Sequence, residues 1–141
     1  MVLAIVQARL GSRRFPRKML APLRKKPVLA WVLSRLAKCR SLDRIVVATT
    51  TSKVDDELAT WLKREGVALY RGSEKDVLDR FYRAATQAKA ETIVRITGDC
   101  PLVMPDLVDR LVQDFSKARV DYLSNTLQAT FPDGLDVEVF S

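Results

Sequence analysis

Histidine is absent from this 141-residue sequence. Its absence excludes imidazole general bases, Ser-His-Asp triads and histidine metal sites. The only cysteines, Cys39 and Cys100, cannot complete a four-ligand zinc site without histidine. Two thiols are also too few for a disulfide framework, so a reducing, cytoplasmic setting is expected. The five glycines (Gly11, Gly66, Gly72, Gly98, Gly134) never fall in G-x-G spacing, so the dinucleotide fingerprint is missing, as is Walker A. No apolar run reaches the roughly 18–20 residues of a membrane span. The apolar N-terminus has no basic residues ahead of it and no small-residue cleavage site. It reads as a first strand rather than a signal peptide.

What is present is ordinary in amount and uneven in place. Hydrophobic residues make up 48% and charged residues 29%, a composition that folds as a globular domain. The length fits a single domain over 1–141. Net charge is +7, yet residues 1–40 carry 11 Lys/Arg and no acid, whereas residues 41–141 carry 13 basic and 17 acidic residues. Eight of the basic residues lie between Arg9 and Lys26. Such a cluster suits the phosphates of a small molecule or of a nucleic acid, or is a solvated basic loop.

Apolar patterning predicts alternating strands and helices. Residues 2–8 and 44–50 are continuous apolar runs of the kind buried on both faces of a parallel sheet. Residues 9–27 carry Gly11, Pro16, Pro22 and Pro27 and read as a long loop. A helix from Pro27 to about Lys38 has Val28, Leu29, Val32 and Leu36 at helical spacing. Ser52 with Asp55 resembles a capping box opening a helix with Val54, Leu58, Trp61 and Leu62 on one face, ended by Gly66. A short strand follows at 67–71. Ser73 and Asp76 then cap a helix with Val77, Leu78, Phe81, Ala85 and Ala88 on one side. A strand at 92–97 stops at Gly98-Asp99. Pro105 starts a helix with Val108, Leu111, Val112 and Phe115 inward. Residues 121–125 and 135–140 are candidate strands. This alternation predicts an α/β sheet, mostly parallel, with helices on both faces.

In open α/β sheets, ligands bind at the carboxyl ends of the strands. Three features land there. The first is the loop after the first strand, with Gly11 and Ser12 to approach an anion and Arg13 and Lys18 as charged donors. The second is Asp99, placed to hold Mg²⁺ with phosphate oxygens, or simply to cap a turn at Pro101. The third is the stretch 71–80, rich in polar side chains. Asp133, Asp136 and Glu138 form an acidic cluster. Pro-Asp-Gly is also a turn signal, so Asp133 has that simpler reading. Asp136 and Glu138 share one face of a strand, which favours a polar cleft.

The segments "VQARLGSRRFPRKML", "YRGSEKDVLDRF", "VRITGDCPLV" and "FPDGLDVEVFS" together resemble the cytidylyltransferases that make CMP-activated acidic sugars, and more closely the spore coat polysaccharide branch of that family. The resemblance implies a Rossmann-like α/β/α sandwich of the nucleotide-diphospho-sugar transferase type. It implies transfer of CMP from CTP to an acidic or surface-polysaccharide sugar, with release of pyrophosphate and dependence on Mg²⁺. By position, Arg9, Gly11, Ser12, Arg13 and Lys18 would hold the triphosphate and Ala8 would meet the base or ribose. Arg71, Gly72 and Ser73 would read the pyrimidine. Asp99 would bind Mg²⁺ and, with Arg13 and Lys18, carry the catalytic charge. Asp133, Asp136 and Glu138 would face the acceptor. The resemblance covers the whole chain but only the N-terminal part of the family, whose members supply a second metal-binding aspartate further on. The competing expectations are a non-catalytic nucleotide-binding module or homodimerising module, and a basic nucleic-acid-binding domain. The last lacks the interleaved aromatic and basic residues that stack bases.

Overall fold

The computed structural model describes residues 1–128 and 130–141. Its first strand, β1 (Val2–Gln7), is a run of side chains buried on both faces. The long loop after it is not featureless. It contains a 3-10 turn at Lys18–Leu20 and a small antiparallel hairpin of β2 (Pro22–Leu23) and β3 (Lys26–Pro27). The hairpin turn places Arg24 and Lys25 at positive φ, 47° and 71°. Helix α1 (Val28–Leu36) follows and buries Leu29, Val32 and Leu36.

Strand β4 (Arg44–Thr50) lies where the apolar run predicts it. The expected capping box after it does not form. Residues Lys53–Asp55 make a 3-10 turn, helix α2 spans Asp56–Arg64, and Ser52 makes no side-chain cap. Leu58 and Leu62 are buried as expected, but Val54 precedes the helix and is 55% exposed. Gly66, at φ +69°, ends α2 in the left-handed conformation that glycine adopts without penalty.

Strand β5 (Leu69–Gly72) leads to helix α3 (Val77–Ala88). Here the predicted cap is real, because the Asp76 carboxylate accepts from the Asp79 amide at 2.9 Å. Leu78 departs from the predicted inward face. It is 78% exposed, while Phe81, Ala84, Ala85 and the whole of Arg80 are buried. Strand β6 (Thr92–Thr97) and helix α4 (Pro105–Ala118) fall as the patterning predicts. Of the two remaining candidate strands only short pieces pair, β7 (Tyr122–Ser124) and β8 (Glu138–Phe140).

The six-stranded sheet runs β5-β4-β1-β6-β8-β7. The four strands from β5 to β6 are parallel, and β8 is antiparallel to both β6 and β7. Alternation along β1 divides the core. Ala4 and Val6 pack with α1, α2 and α4 on one face, and Leu3 and Ile5 pack with α3 on the other. The result is the three-layer α/β/α arrangement with a mostly parallel sheet. β1 sits at its centre, and its carboxyl end and that of β6 open side by side.

Candidate active site

Gln7 and Thr97 are partners in register at the ends of β1 and β6. Beyond them the backbone leaves the sheet, and a cavity of about 550 Å³ opens. Gln7, Arg9, Gly11, Ser12, Arg13, Arg14, Lys18, Met19, Glu74, Thr97 and Asp99 line it. The floor is set by close packing at Gly98. A Cβ there would lie 3.0 Å from the Gln7 carbonyl oxygen and 3.1 Å from both Ala8 Cβ and the Met19 sulfur. Glycine therefore lets the two strand ends meet without opening the sheet.

The loop from Ala8 to Lys18 is held at its root. The Ala8 amide donates to the Ala48 carbonyl at 3.2 Å, and the Ser12 and Arg17 amides both donate to the Leu10 carbonyl, at 2.8 and 3.0 Å. The Leu10 amide donates to Asp55 Oδ1 at 2.7 Å. Asp55 is 2% exposed and accepts a second hydrogen bond from the Thr50 hydroxyl. This carboxylate, 45 residues away in sequence, ties the start of the loop to the end of β4. The sequence pattern Ser52–Asp55 reads as a helix cap. Nothing local signals its real task, which exists only once β1 and β4 pair.

At the mouth of the cavity Lys18 pairs with Asp99. Burial alone would raise the Asp99 pKa, but hydrogen bonds and charge from Lys18, with help from Thr97, bring it below the ordinary value. Its neighbour Cys100 moves the other way. Burial pushes the thiol up, against a hydrogen bond to Thr97, and Asp99 and Asp136 push it further. A thiol so placed is a poor nucleophile at neutral pH.

The sequence-predicted residues divide into those the fold brings together and those it does not. Arg9, Gly11, Ser12, Arg13, Lys18 and Asp99 converge on the one cavity. Ala8 lies buried beneath it. Arg71, Gly72 and Ser73 do not line it. Arg71 donates to the Thr50 and Ser52 carbonyls at 2.9 and 3.1 Å and pairs with Asp56 at 2.7 Å, so its guanidinium ties the β4–α2 and β5 ends together. From that stretch the cavity instead receives Glu74. Asp133 is an exposed turn residue before Gly134 at φ +89°, and Asp136 is also exposed. Glu138 pairs with Arg95 at 2.8 Å, and both line a second groove of about 450 Å³ beside α3. Arg95 also donates to Gln7 Oε1 at 3.3 Å, so the two hollows share one wall. Gln7 and Thr97 were missed. Their signal was a polar residue closing each of two apolar strands.

A central, mostly parallel sheet with a cationic cavity at its strand ends defines a three-layer α/β domain. The cytidylyltransferase family model matches residues 3–134, and the chain belongs to that family. It is 37% identical over 125 residues to spore coat polysaccharide biosynthesis protein SpsF of Bacillus subtilis (strain 168), covering 86% of this chain and 52% of that protein. It is 34% identical over 113 residues to 3-deoxy-manno-octulosonate cytidylyltransferase of Geobacter sulfurreducens, covering 79% of this chain and 44% of that protein. Among solved structures, a cytidylyltransferase from Leptospira borgpetersenii superposes with a TM-score of 0.94 at 36% identity, covering 99% of this chain and 60% of that one. The chain thus spans about half the length of the curated relatives it matches. No helix among the described residues is long and apolar enough to cross a membrane.

Proposed function

We propose that this chain carries the nucleotide-binding part of an enzyme that transfers CMP from CTP to a sugar. The observation that carries the reading is the convergence of Arg9, Arg13, Arg14 and Lys18 with two carboxylates, Asp99 and Glu74, in one cavity at the ends of β1 and β6. Four cations match a triphosphate. Arginines supply forked contacts to its oxygens and lysine a point charge. The choice of cytosine rests on the family.

In the reaction a sugar hydroxyl oxygen attacks the α-phosphorus. The bond from that phosphorus to its bridging oxygen breaks, pyrophosphate leaves with the electron pair, and the hydroxyl proton passes to water. Arg13 and Lys18 hold the phosphates and neutralise the charge that grows on them. No covalent enzyme intermediate is required, and Cys100 is unsuited to form one. Among the described residues no cluster of three or more acidic or thiol ligands could hold a metal ion by itself. Asp99 therefore fits Mg²⁺ only jointly with phosphate oxygens, the way this ion is commonly held at nucleotide sites. There Mg²⁺ would supply further neutralisation of the phosphates. Asp99 would hold the ion, and Lys18, its ion-pair partner in the same cavity, would meet the phosphates. The acceptor belongs on the Gln7–Arg95–Glu138 side, where the second groove abuts the nucleotide cavity.

The test is pyrophosphate release from CTP with 3-deoxy-manno-octulosonate as probe acceptor, alongside titration of CTP into wild type, Lys18→Ala and Asp99→Ala. The reading expects CTP binding in the wild type, at least about tenfold weaker in Lys18→Ala, as befits the loss of a charge-assisted contact. Equal binding by all three proteins would contradict it.

A further inference from the structure

Arg80 is the largest fully buried side chain of the molecule, 1% exposed. Charged side chains are almost never buried without a partner. Arg80 nevertheless forms no ion pair among the described residues. Its guanidinium donates from Nη1 to the Ser73 carbonyl at 2.6 Å, while its Nε is buried with no hydrogen-bond partner. The Ser73 carbonyl belongs to the turn that delivers Glu74 into the cationic cavity, so Arg80 stands directly behind that wall.

Arg9, which lines the cavity, opposes the Arg80 charge; Asp55 and Glu74 favour it. Asp55 is already engaged by the Leu10 amide and the Thr50 hydroxyl. Burial, the largest influence, and Arg9 together lower the Arg80 pKa. The fold therefore bears the cost of a cation buried beside Arg9 with no ion pair among the described residues, its Nη1 hydrogen bond going to a neutral carbonyl. An anion in the adjacent cavity would offset it.

We infer that Arg80 is a buried positioning charge whose counter-charge is the polyphosphate of the ligand bound in the Arg9–Lys18 cavity. The inference rests on the nucleotide reading of that cavity, and goes beyond it by assigning a residue that does not line the site. It acts across the Ser73–Glu74 wall, through the field inside a low-dielectric interior, rather than by contact.

Two variants separate charge from hydrogen bonding. Arg80→Gln retains a donor for the Ser73 carbonyl and loses the charge. Arg80→Lys retains the charge. Inorganic tripolyphosphate, CTP and uncharged cytidine are titrated into each. The inference expects Arg80→Gln to bind tripolyphosphate and CTP about tenfold more weakly while cytidine binding is unchanged, and Arg80→Lys to stay within about threefold of wild type for all three, the scale of one buried charge. Equal weakening for cytidine and tripolyphosphate would mean a structural role only and would overturn it. So would tripolyphosphate binding unchanged in Arg80→Gln. Should Arg80→Gln fail to fold, the lysine variant decides, and a tenfold loss there overturns the inference. A wild type that binds tripolyphosphate but not CTP would defeat the nucleotide reading and leave the role of Arg80 standing.

Discussion

Lys18 and Asp99 make one ion pair in the free protein and have separate tasks in the proposed complex. Both are partly exposed, so the pair itself adds little stability. Their value lies in the ligand. Asp99→Asn is expected to leave CTP binding without Mg²⁺ close to wild type and to abolish the gain that Mg²⁺ gives, as read by calorimetry with and without chelator. Asp55 is the reverse case, a buried carboxylate that does not line the cavity. Asp55→Ala would leave the Leu10 amide and the Thr50 hydroxyl without their acceptor, at a cost of about 1–3 kcal/mol for a buried unsatisfied group. Urea unfolding would measure the loss, and CTP titration the accompanying slackening of the phosphate loop. The positions of Lys18 and Asp99 at one strand-end cavity were legible in sequence, because each lies past the end of an apolar strand run. Those of Asp55 and Arg80 were not. Each is defined by a neighbour that only the folded chain brings near: Asp55 carries a helix-cap pattern, and Arg80 lies in the polar stretch 71–80 with no signal of its burial.

At the scale of elements, two joints hold the site. Gly98 joins the ends of β1 and β6. Gly98→Ala forces a methyl group against a backbone carbonyl, which cannot swing aside, so a destabilisation of about 1–3 kcal/mol is expected from overpacking. A thermal melt checks it, with little change signalling that the strand ends are free to part. The second joint is Asp109 of α4. It accepts from the Arg40 and Ser41 amides at 2.9–3.0 Å and from the Ser41 hydroxyl at 2.6 Å, clasping the end of α1 to α4. Burial would raise its pKa, but the Ser41 hydroxyl and the two amides hold it below the ordinary 3.8. A carboxyl depressed in the folded state stabilises fully above its unfolded pKa and loses that contribution as pH falls through the folded value. Wild type should therefore lose more stability than Asp109→Asn as pH drops below 3.8, measured by urea unfolding at a series of pH values. Helices and parallel strands were readable from periodicity, since burial on one or two faces writes itself into the spacing of apolar residues. The β2–β3 hairpin was not, because Arg24-Lys25 takes a left-handed turn without the Asn-Gly that usually announces one. Leu78 was misread because the first turn of α3 turns it outward while Arg80 goes in.

At the scale of the whole molecule, the N-terminal third supplies the cations and the rest of the chain supplies the carboxylates that shape them. That division follows from the sheet order. Placing β1 between β4 and β6 sets the basic loop against Asp55 on one side and Asp99 on the other. The α/β class and parallel sheet were foreseeable from strand–helix alternation; the antiparallel insertion of β8 between β6 and β7 was not, because two three-residue strands carry almost no pattern. In the proposed function this arrangement is a site for CTP. The most direct measurement is isothermal titration of the chain with CTP, UTP, GTP and ATP, each with Mg²⁺ and again with chelator. CTP is expected to bind in preference to the others, and more weakly once Mg²⁺ is removed. Binding that ignores the base, or that is indifferent to Mg²⁺, would contradict it.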